Sequence, residues 1–294
     1  MTITDDARAR LFLLRATEPP APAVQGYVAA HGPVEAVEHI RASTAPAPVL
    51  AEITRPHPSL DRDMDAVESG NARLVTPEDD AWPLGRLHGL SSHGLGAPLA
   101  LWVRGSASLS ELTGTAVTMT GTRAPSQYGS TTAADLAYGL ADAGVTVVSG
   151  GAFGADASAH QGALAGGGPT LVVLPCGVDL DHPRAHARLF AEIVRNGGLL
   201  VSEYPLGVVP IRMRFAARCR LLAALTAATV IVEAGLRSGA LATARVARQL
   251  GRRVYGVPGP ITSAASAGVN ELLRTGDATA ISSIGHINYQ EGLR

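Results

Sequence analysis

The sequence predicts an α/β protein, a doubly wound and mostly parallel sheet preceded by a small N-terminal helical module. Three observations predict this. From Gly114 onward, short apolar runs rich in Val, Leu, Ile and Thr alternate with segments of helical periodicity, in repeats of about 25–35 residues. Such alternation builds parallel strands joined by right-handed crossovers. Apolar residues make up 46% of the chain but aromatic ones only 4%, so the core must come from Val, Leu, Ile and Ala, as in a buried parallel sheet. The N-terminal third, by contrast, shows mostly helical spacing.

Residues 6–41 read as three short helices, DARARLFLLRA, AVQGYVAAHG and PVEAVEHIRA, with apolar positions three and four apart. Prolines interrupt the stretch from Ala42 to Pro58, which is expected to be loose. Acid-rich DRDMDAVESG is helical again, and WPLGRLHGLSSHGLGAPLALWVRG leads through a loop to a short strand near Leu99–Val103. The regular part then runs AVTMT, TTAADLAYGLADAG, VTVVSGG, ADASAHQGALAG, TLVVLPCG, HARLFAEIVRNG, GLLVSEYP, AARCRLLAALT, ATVIVEA, ALATARVARQLG and RRVYGVPG, strand and helix in turn. Residues 1–98 are therefore expected to form the helical module with a Pro-rich linker. Residues 99–284 form the sheet domain and 285–294 a C-terminal tail.

Composition excludes several classes. An apolar fraction of 46% against 17% charged residues excludes global disorder. Cys176 and Cys219 are too few for a disulfide framework, lack zinc-ligand spacing and sit in apolar contexts, so both are expected to be inert thiols. No apolar run approaches the roughly 18 residues of a membrane span. The opening MTITDDARAR is acidic and has no signal-peptide core, so a soluble cytoplasmic protein is expected. The net charge of −1 hides an asymmetry: residues 1–90 carry −5 and residues 91–294 carry +4. All 24 basic residues are Arg, a bias that a GC-rich genome would also produce.

Ligands of doubly wound sheets bind at the carboxyl ends of the strands, near the switch point. This chain places there Gly121, Thr122 and Arg123; Ser149, Gly150 and Gly151; Pro175, Cys176 and Gly177; Ser202 and Glu203; and Glu233, followed by Ser238, Gly239 and Thr243. Glycines permit close backbone approach, and helix N-termini offer N–H groups to an anion. One rim thus repeats an anion-binding construction, which points to a phosphate-bearing ligand. None of the turns is a Walker A loop. SGGAFGADASAH lacks the ordered glycine spacing of a dinucleotide fingerprint and the ribose-binding acid after it, so no cofactor is expected.

Charge is the second signal. Between Pro205 and Pro258 stand nine arginines (212, 214, 218, 220, 237, 245, 248, 252 and 253) against the single acid Glu233. Arg214 and Arg218 share a helical face, and Arg245, Arg248 and Arg252 continue one. A phosphate backbone is bound by such a stripe through counterion release. Phe215 inside the basic run is the type of ring on which single-stranded bases stack. Other constellations carry less. Asp156 and His160, one turn apart, are expected to be a partnered structural pair. His182 and His186 share a helical face but have no third metal ligand. No G-x-S-x-G elbow occurs, and Ser149 and Ser202 have no assigned base.

The ordered segments GTRAPSQYG, VVSGGAFGADASAHQGAL, TLVVLPCGVDLDHP, GLLVSEYPLG, FAARCRLLAALT, VEAGLRSGALATA and RRVYGVPGP, then AGVNELLRTGDA, resemble the DprA/Smf family of DNA-processing proteins from about Val117 to Ala278. The resemblance implies an extended Rossmann-like domain that binds and protects single-stranded DNA and helps load the RecA recombinase in natural transformation and recombination. It also implies a homodimer without catalytic activity. It assigns DNA contact to Arg123, Arg212, Phe215, Arg218 and Arg220, and a phosphate-like pocket to Ser238 and Gly239. The sequence departs from the family at Cys219, where Asn is usual, at Ala216, where Pro is usual, and at Phe153, where Arg is common. No C-terminal winged-helix module, such as many members carry, is expected. Two other readings stay open. One is a nucleoside-monophosphate phosphoribohydrolase on the same fold, for which EAGLRSGALATA lacks a carboxylate after Thr243. The other is a sensor of a small nucleotide. The negative charge of the N-terminal third argues against its contacting DNA.

Overall fold

The structure is a computed structural model that describes residues 3–289. Local sequence sets the first helices. Thr4 caps α1 (Asp5–Ala16) by accepting from Ala7 N, and Asp5 and Asp6 face the positive end of its dipole. Prolines occupy the first turns of α2 (Pro22–His31), α3 (Pro33–Arg41) and the short α4 (Ala47–Ala51), where a missing N–H has no partner to lose. α4 lies in the stretch expected to be loose. α5 (Asp61–Ser69) ends at the left-handed Gly70. Leu11, Leu14, Val24, Ala36 and Ile40 close a core that also takes in Trp102, Val178 and Leu206, so the helical module is packed directly onto the sheet domain.

The sheet has nine strands. They are β1 (Arg73–Val75), β2 (Leu101–Arg104), β3 (Ala116–Thr120), β4 (Thr146–Gly150), β5 (Thr170–Val173), β6 (Leu199–Ser202), β7 (Ala228–Ile231), β8 (Arg253–Gly256) and β9 (Thr279–Ala280), in the order β1-β2-β6-β5-β4-β3-β7-β8-β9. The pairs β1–β2 and β2–β6 are antiparallel and all others parallel. The sheet therefore starts at Arg73, ahead of the strand expected near Leu99. α6 (Leu84–Ser92), in a segment expected to be a loop, and α7 (Leu109–Gly114) flank β2. Across β2, Trp102 turns to the helical module while Leu101 and Val103 face the opposite side, as the period of two requires.

Helices cover both faces. α8 (Gln127–Asp142) and α9 (Ala155–Ala165) bury Leu136, Leu140, Ala159 and Ala163 against Val117, Met119, Val147 and Val230. On the same face α10 (Ala187–Arg195) sets Phe190 and Ile193 on Val172 and Leu200. α11 (Arg212–Ala224) sets Leu221 and Leu222 against Val148, Leu171 and Val173 on the other face. There α12 (Ala240–Gln249) covers Ile231 and Val254, and α13 (Ala267–Arg274) adds Val269. From β3 the chain moves through β4 and β5 to β6, then returns to the other side of β3 with β7. The carboxyl ends of β3 and β7 thus form the switch-point crevice. Residues 284–286 make a 3-10 turn, and residues 290–294 of the expected tail lie outside the described residues. Among the described residues no helix is long and apolar enough to cross a membrane.

Asp156 and His160 do not pair with each other as expected. Asp156 accepts from Thr120 Oγ1 (2.7 Å) and Ala152 N (3.3 Å). His160 bridges two strands, with Nε2 2.9 Å from Gly150 O and Nδ1 2.8 Å from Thr170 Oγ1. Its complete burial pushes the imidazole down to about 4, so the ring is neutral at pH 7 and Nε2 donates to the Gly150 carbonyl. The unfolded chain, with an ordinary histidine near 6.5, takes up a proton before the folded chain does. This contribution to stability is full above pH 6.5 and falls as the pH drops to about 4, by up to about 3 kcal/mol. His160→Gln keeps a donor for Gly150 and cannot titrate. Urea unfolding between these pH values should show a smaller loss of stability in the variant than in the parent, and equal losses would contradict the assignment.

Candidate nucleic-acid interface

The crevice is built on one buried carboxylate. Glu233, just beyond β7, is 2% exposed and accepts from Ser126 N (2.8 Å) and Ser126 Oγ (2.9 Å). Ser126 in turn caps α8 by accepting from Gly129 N (3.1 Å). The Glu233 carbonyl accepts from Thr122 N (2.6 Å), and Thr122 O accepts from Ala155 N (3.1 Å) at the start of α9. The β3–α8 turn is thereby tied to both neighbouring strand ends, and Arg123 projects from it, exposed. A Cβ on Gly121 would lie 2.7 Å from Glu233 O and 2.8 Å from Ala155 Cβ, so only glycine lets these three segments meet. Gly154 adopts φ +81° where the backbone of Thr122 and Arg123 presses on it, the second place that requires glycine.

A basin of about 800 Å³ opens above this framework. Gly121, Thr122 and Arg123 form one wall, Arg212, Phe215 and Arg218 of α11 a second, and Arg237, Ser238, Gly239 and Thr243 at the head of α12 a third. Four arginines thus face one carboxylate, Asp156, which is buried and already hydrogen-bonded. Arg218 lies deep: it is 8% exposed, Nη1 donates to Val173 O (3.2 Å), and Nε is buried with no acceptor among the described residues.

A second cavity of about 250 Å³ adjoins the first and shares Arg123, Ala152, Phe215 and Arg218 with it. Its remaining lining includes Phe153, His182, Pro175 and Pro183. Phe215 meets His182 edge-on at 5.8 Å, and Phe153 meets His186 edge-on at 4.6 Å. The Arg123 guanidinium stands 4.9 Å over the Phe215 ring, a cation–π geometry. Partial burial, and after it the charge of Arg123, hold His182 below the ordinary imidazole range, so that it presents a neutral ring at pH 7.

The expected site residues divide. Gly121, Arg123, Arg212, Phe215, Arg218, Ser238, Gly239 and Thr243 line the basin, and Gly151 lines the ring-walled cavity. Five others do not reach either. Arg214 is 8% exposed and donates through Nε and Nη2 to both oxygens of Glu18 (2.6 and 2.8 Å), on the helical module. Arg220 is 4% exposed and paired with buried Glu203 (2.6 Å) and Leu95 O (3.2 Å). Ser149 is fully buried and donates to Met119 O, Gly150 packs beneath Arg218, and Glu233 is the clamp described above. The expected stripe on α12 is also broken. Arg248 pairs with Asp277 (2.6 Å), and partly buried Arg252 turns to Arg86 O (3.5 Å).

His182 lies outside any helix and His186 ends a 3-10 turn, so their expected common helical face does not form. Burial pushes the Cys176 thiol up to about 12, and the buried Cys219 thiol donates to Phe215 O (3.3 Å). Sequence reasoning gave His182 no lining role, counted Arg237 only within the basic run, and met Phe153 only in the turn after VTVVSGG. The signals for Phe153 were its place at that strand end and its standing where the resembling family has Arg.

Residues 73–291 match the family described as DNA recombination-mediator protein A. The chain belongs to that family. Its role is accordingly DNA processing in recombination. The chain is 45% identical over 283 residues to the DprA-named protein of Mycobacterium tuberculosis, covering 93% of this chain and 72% of that one. The X-ray structure of DNA processing protein A from Streptococcus pneumoniae is similar at a TM-score of 0.74 and 28% identity, over 97% of both chains. DNA processing protein A from Helicobacter pylori, solved for its single-stranded DNA binding mode, is similar at a TM-score of 0.63 and 32% identity, over 73% of this chain and 92% of that one. The family match begins at Arg73, where the sheet itself begins.

The two kinds of arginine should separate in stability measurements. Arg220→Ala leaves Glu203 charged and buried without its partner, a loss of about 3–5 kcal/mol. Arg212→Ala removes an exposed side chain and should change stability by less than about 0.5 kcal/mol. Urea unfolding of both variants checks this. Equal losses would contradict the division.

Proposed function

We propose that the basin and the ring-walled cavity together hold single-stranded DNA, phosphates over the arginines and bases among the rings. The observation that carries this reading is the shared wall of Arg123, Phe215 and Arg218. A backbone phosphate seated in the basin puts the attached base beside Phe215, Phe153 and His182. Arg218, which lines both spaces, adds its positive charge at the same place. Base faces are hidden in a duplex and open in a single strand, so ring stacking selects for the latter. Arginine–phosphate contact and stacking read no base edges, so sequence preference is low. The Helicobacter pylori relative's single-stranded DNA binding supports the same reading.

The finer reading rests on the DprA/Smf resemblance. The chain protects single-stranded DNA, helps load RecA, acts as a homodimer in the cytoplasm and performs no bond-making chemistry. The bracing position of Asp156 supports the last point: its carboxylate is committed to Thr120 and Ala152 rather than free to move a proton.

Anisotropy of a labelled oligonucleotide of about 30 nucleotides, titrated with salt, tests the proposal. Arg123→Ala and Arg212→Ala should weaken binding of all sequences alike and make the slope of log K against log salt shallower by about 0.7 for each phosphate left without its arginine. Phe153→Ala and Phe215→Ala should cost about 1–3 kcal/mol per unstacked base and leave that slope unchanged. Duplex that binds as tightly as single strand, or affinities unmoved by all four substitutions, would overturn it. Release of free base from nucleoside monophosphates would turn the assignment to a hydrolase.

A further inference from the structure

The corner between α2 and α3, remote in sequence from the residues that line the basin, gathers a second set of chemically competent side chains. Tyr27, His31, Glu35 and His39 follow one another at intervals of four residues. His31 closes α2, Gly32 turns the chain, and Glu35 and His39 lie on α3. The turn brings the three ligand-type groups together: their donor atoms all lie within 4.8 Å of one another. His31 Nδ1 is 3.0 Å and His39 Nε2 4.0 Å from the same oxygen, Glu35 Oε1. We propose that His31, Glu35 and His39 bind a zinc ion that clamps α2 to α3.

Three features of the geometry point to zinc. Two imidazole nitrogens and one carboxylate oxygen are a borderline donor set, which suits zinc better than magnesium or calcium. Tetrahedral zinc, with bonds of about 2.0–2.1 Å, separates its donors by about 3.4 Å. The His31–Glu35 pair at 3.0 Å is already near that separation, and His39 at 4.0 Å closes on it by a small rotation. Its side chain is 36% exposed and that of Glu35 51%, so neither is locked by packing.

The third feature is orientation. Tyr27 Oη lies 2.7 Å from His39 Nδ1. With the Nδ1 proton donated to Tyr27, the lone pair of His39 is on Nε2, the atom turned to Glu35 and His31. Metal-ligating histidines are commonly fixed in this way by a partner on the other ring nitrogen. Tyr27 is therefore a positioning residue and does not touch the metal. Three protein ligands leave the fourth position to water.

Calorimetric titration of the metal-free full chain with zinc chloride tests the site. The parent should take up one zinc per chain. His31→Ala/His39→Ala and, separately, the nearly isosteric Glu35→Gln should each weaken binding at least about 10-fold, while Tyr27→Phe should weaken it by about 10-fold without changing the stoichiometry. A control pair, His57→Ala/His93→Ala, removes two exposed histidines elsewhere and should bind as the parent does. Melting curves without zinc should coincide for the parent and Glu35→Gln, which separates loss of the site from loss of the fold. Failure of the parent to take up zinc at micromolar free metal would overturn the proposal. So would zinc binding that survives in His31→Ala/His39→Ala, or that falls equally in the control pair.

Discussion

The buried carboxylate of Glu233 is the contact on which the site depends. It stands beyond the last residue of β7, yet its oxygens are spent on the backbone N–H and hydroxyl of Ser126, at the start of the helix that follows β3. A carboxylate buried without partners would be costly, and two short hydrogen bonds offset that cost while fixing the turn between them. Gly129 has no side chain where the carboxylate passes. Arg123 is carried on this turn, and its guanidinium reaches Phe215 of α11. The wall common to the basin and the ring-lined cavity thus follows from a contact that itself meets no ligand.

A second constraint sorts the arginines. α11 carries four of them, and packing against β5, β6 and the helical module decides their fates. Arg214 and Arg220 turn inward to Glu18 and Glu203, Arg218 reaches beneath the basin, and Arg212 stays outside. A buried ion pair contributes little net stability over an apolar pair, but it forbids removal of either partner alone. The negative N-terminal third therefore acts on this helix from the side: Glu18 neutralises a charge that would otherwise add to the basic face. The arginine density of the sequence overstates the positive charge available to a phosphate backbone.

Most of the fold was legible because its signals are local. β3 to β8 are each apolar runs closed by glycine, proline or a turn, and the helices between them keep their apolar spacing. β1 and β9, of three and two residues, are too short to show a period, and their pairing is decided by the sheet edge they meet. α4 and α6 are hidden by proline, glycine and serine, which packing overrides. In the site, Gly121, Arg123, Ser238 and Gly239 were legible because strand ends in such sheets are where ligands bind. Arg214 was not, because its partner Glu18 is 196 residues away in the chain, and a helical face alone does not say which arginines are already paired. Phe153 showed itself as a strand-end residue and as a departure from a family pattern; its meaning as a ring beside His186 and the shared cavity needed the three-dimensional arrangement.

Photo-crosslinking puts the shared wall to a direct test. An oligonucleotide carrying 5-iododeoxyuridine at each position in turn would be irradiated with the full chain and the joined peptides read by mass spectrometry. Stacked bases on the shared wall predict crosslinks concentrated on Phe153, Phe215 and His182. Crosslinks confined to other surfaces, with these three rings unmarked at saturating DNA, would contradict stacking at this wall.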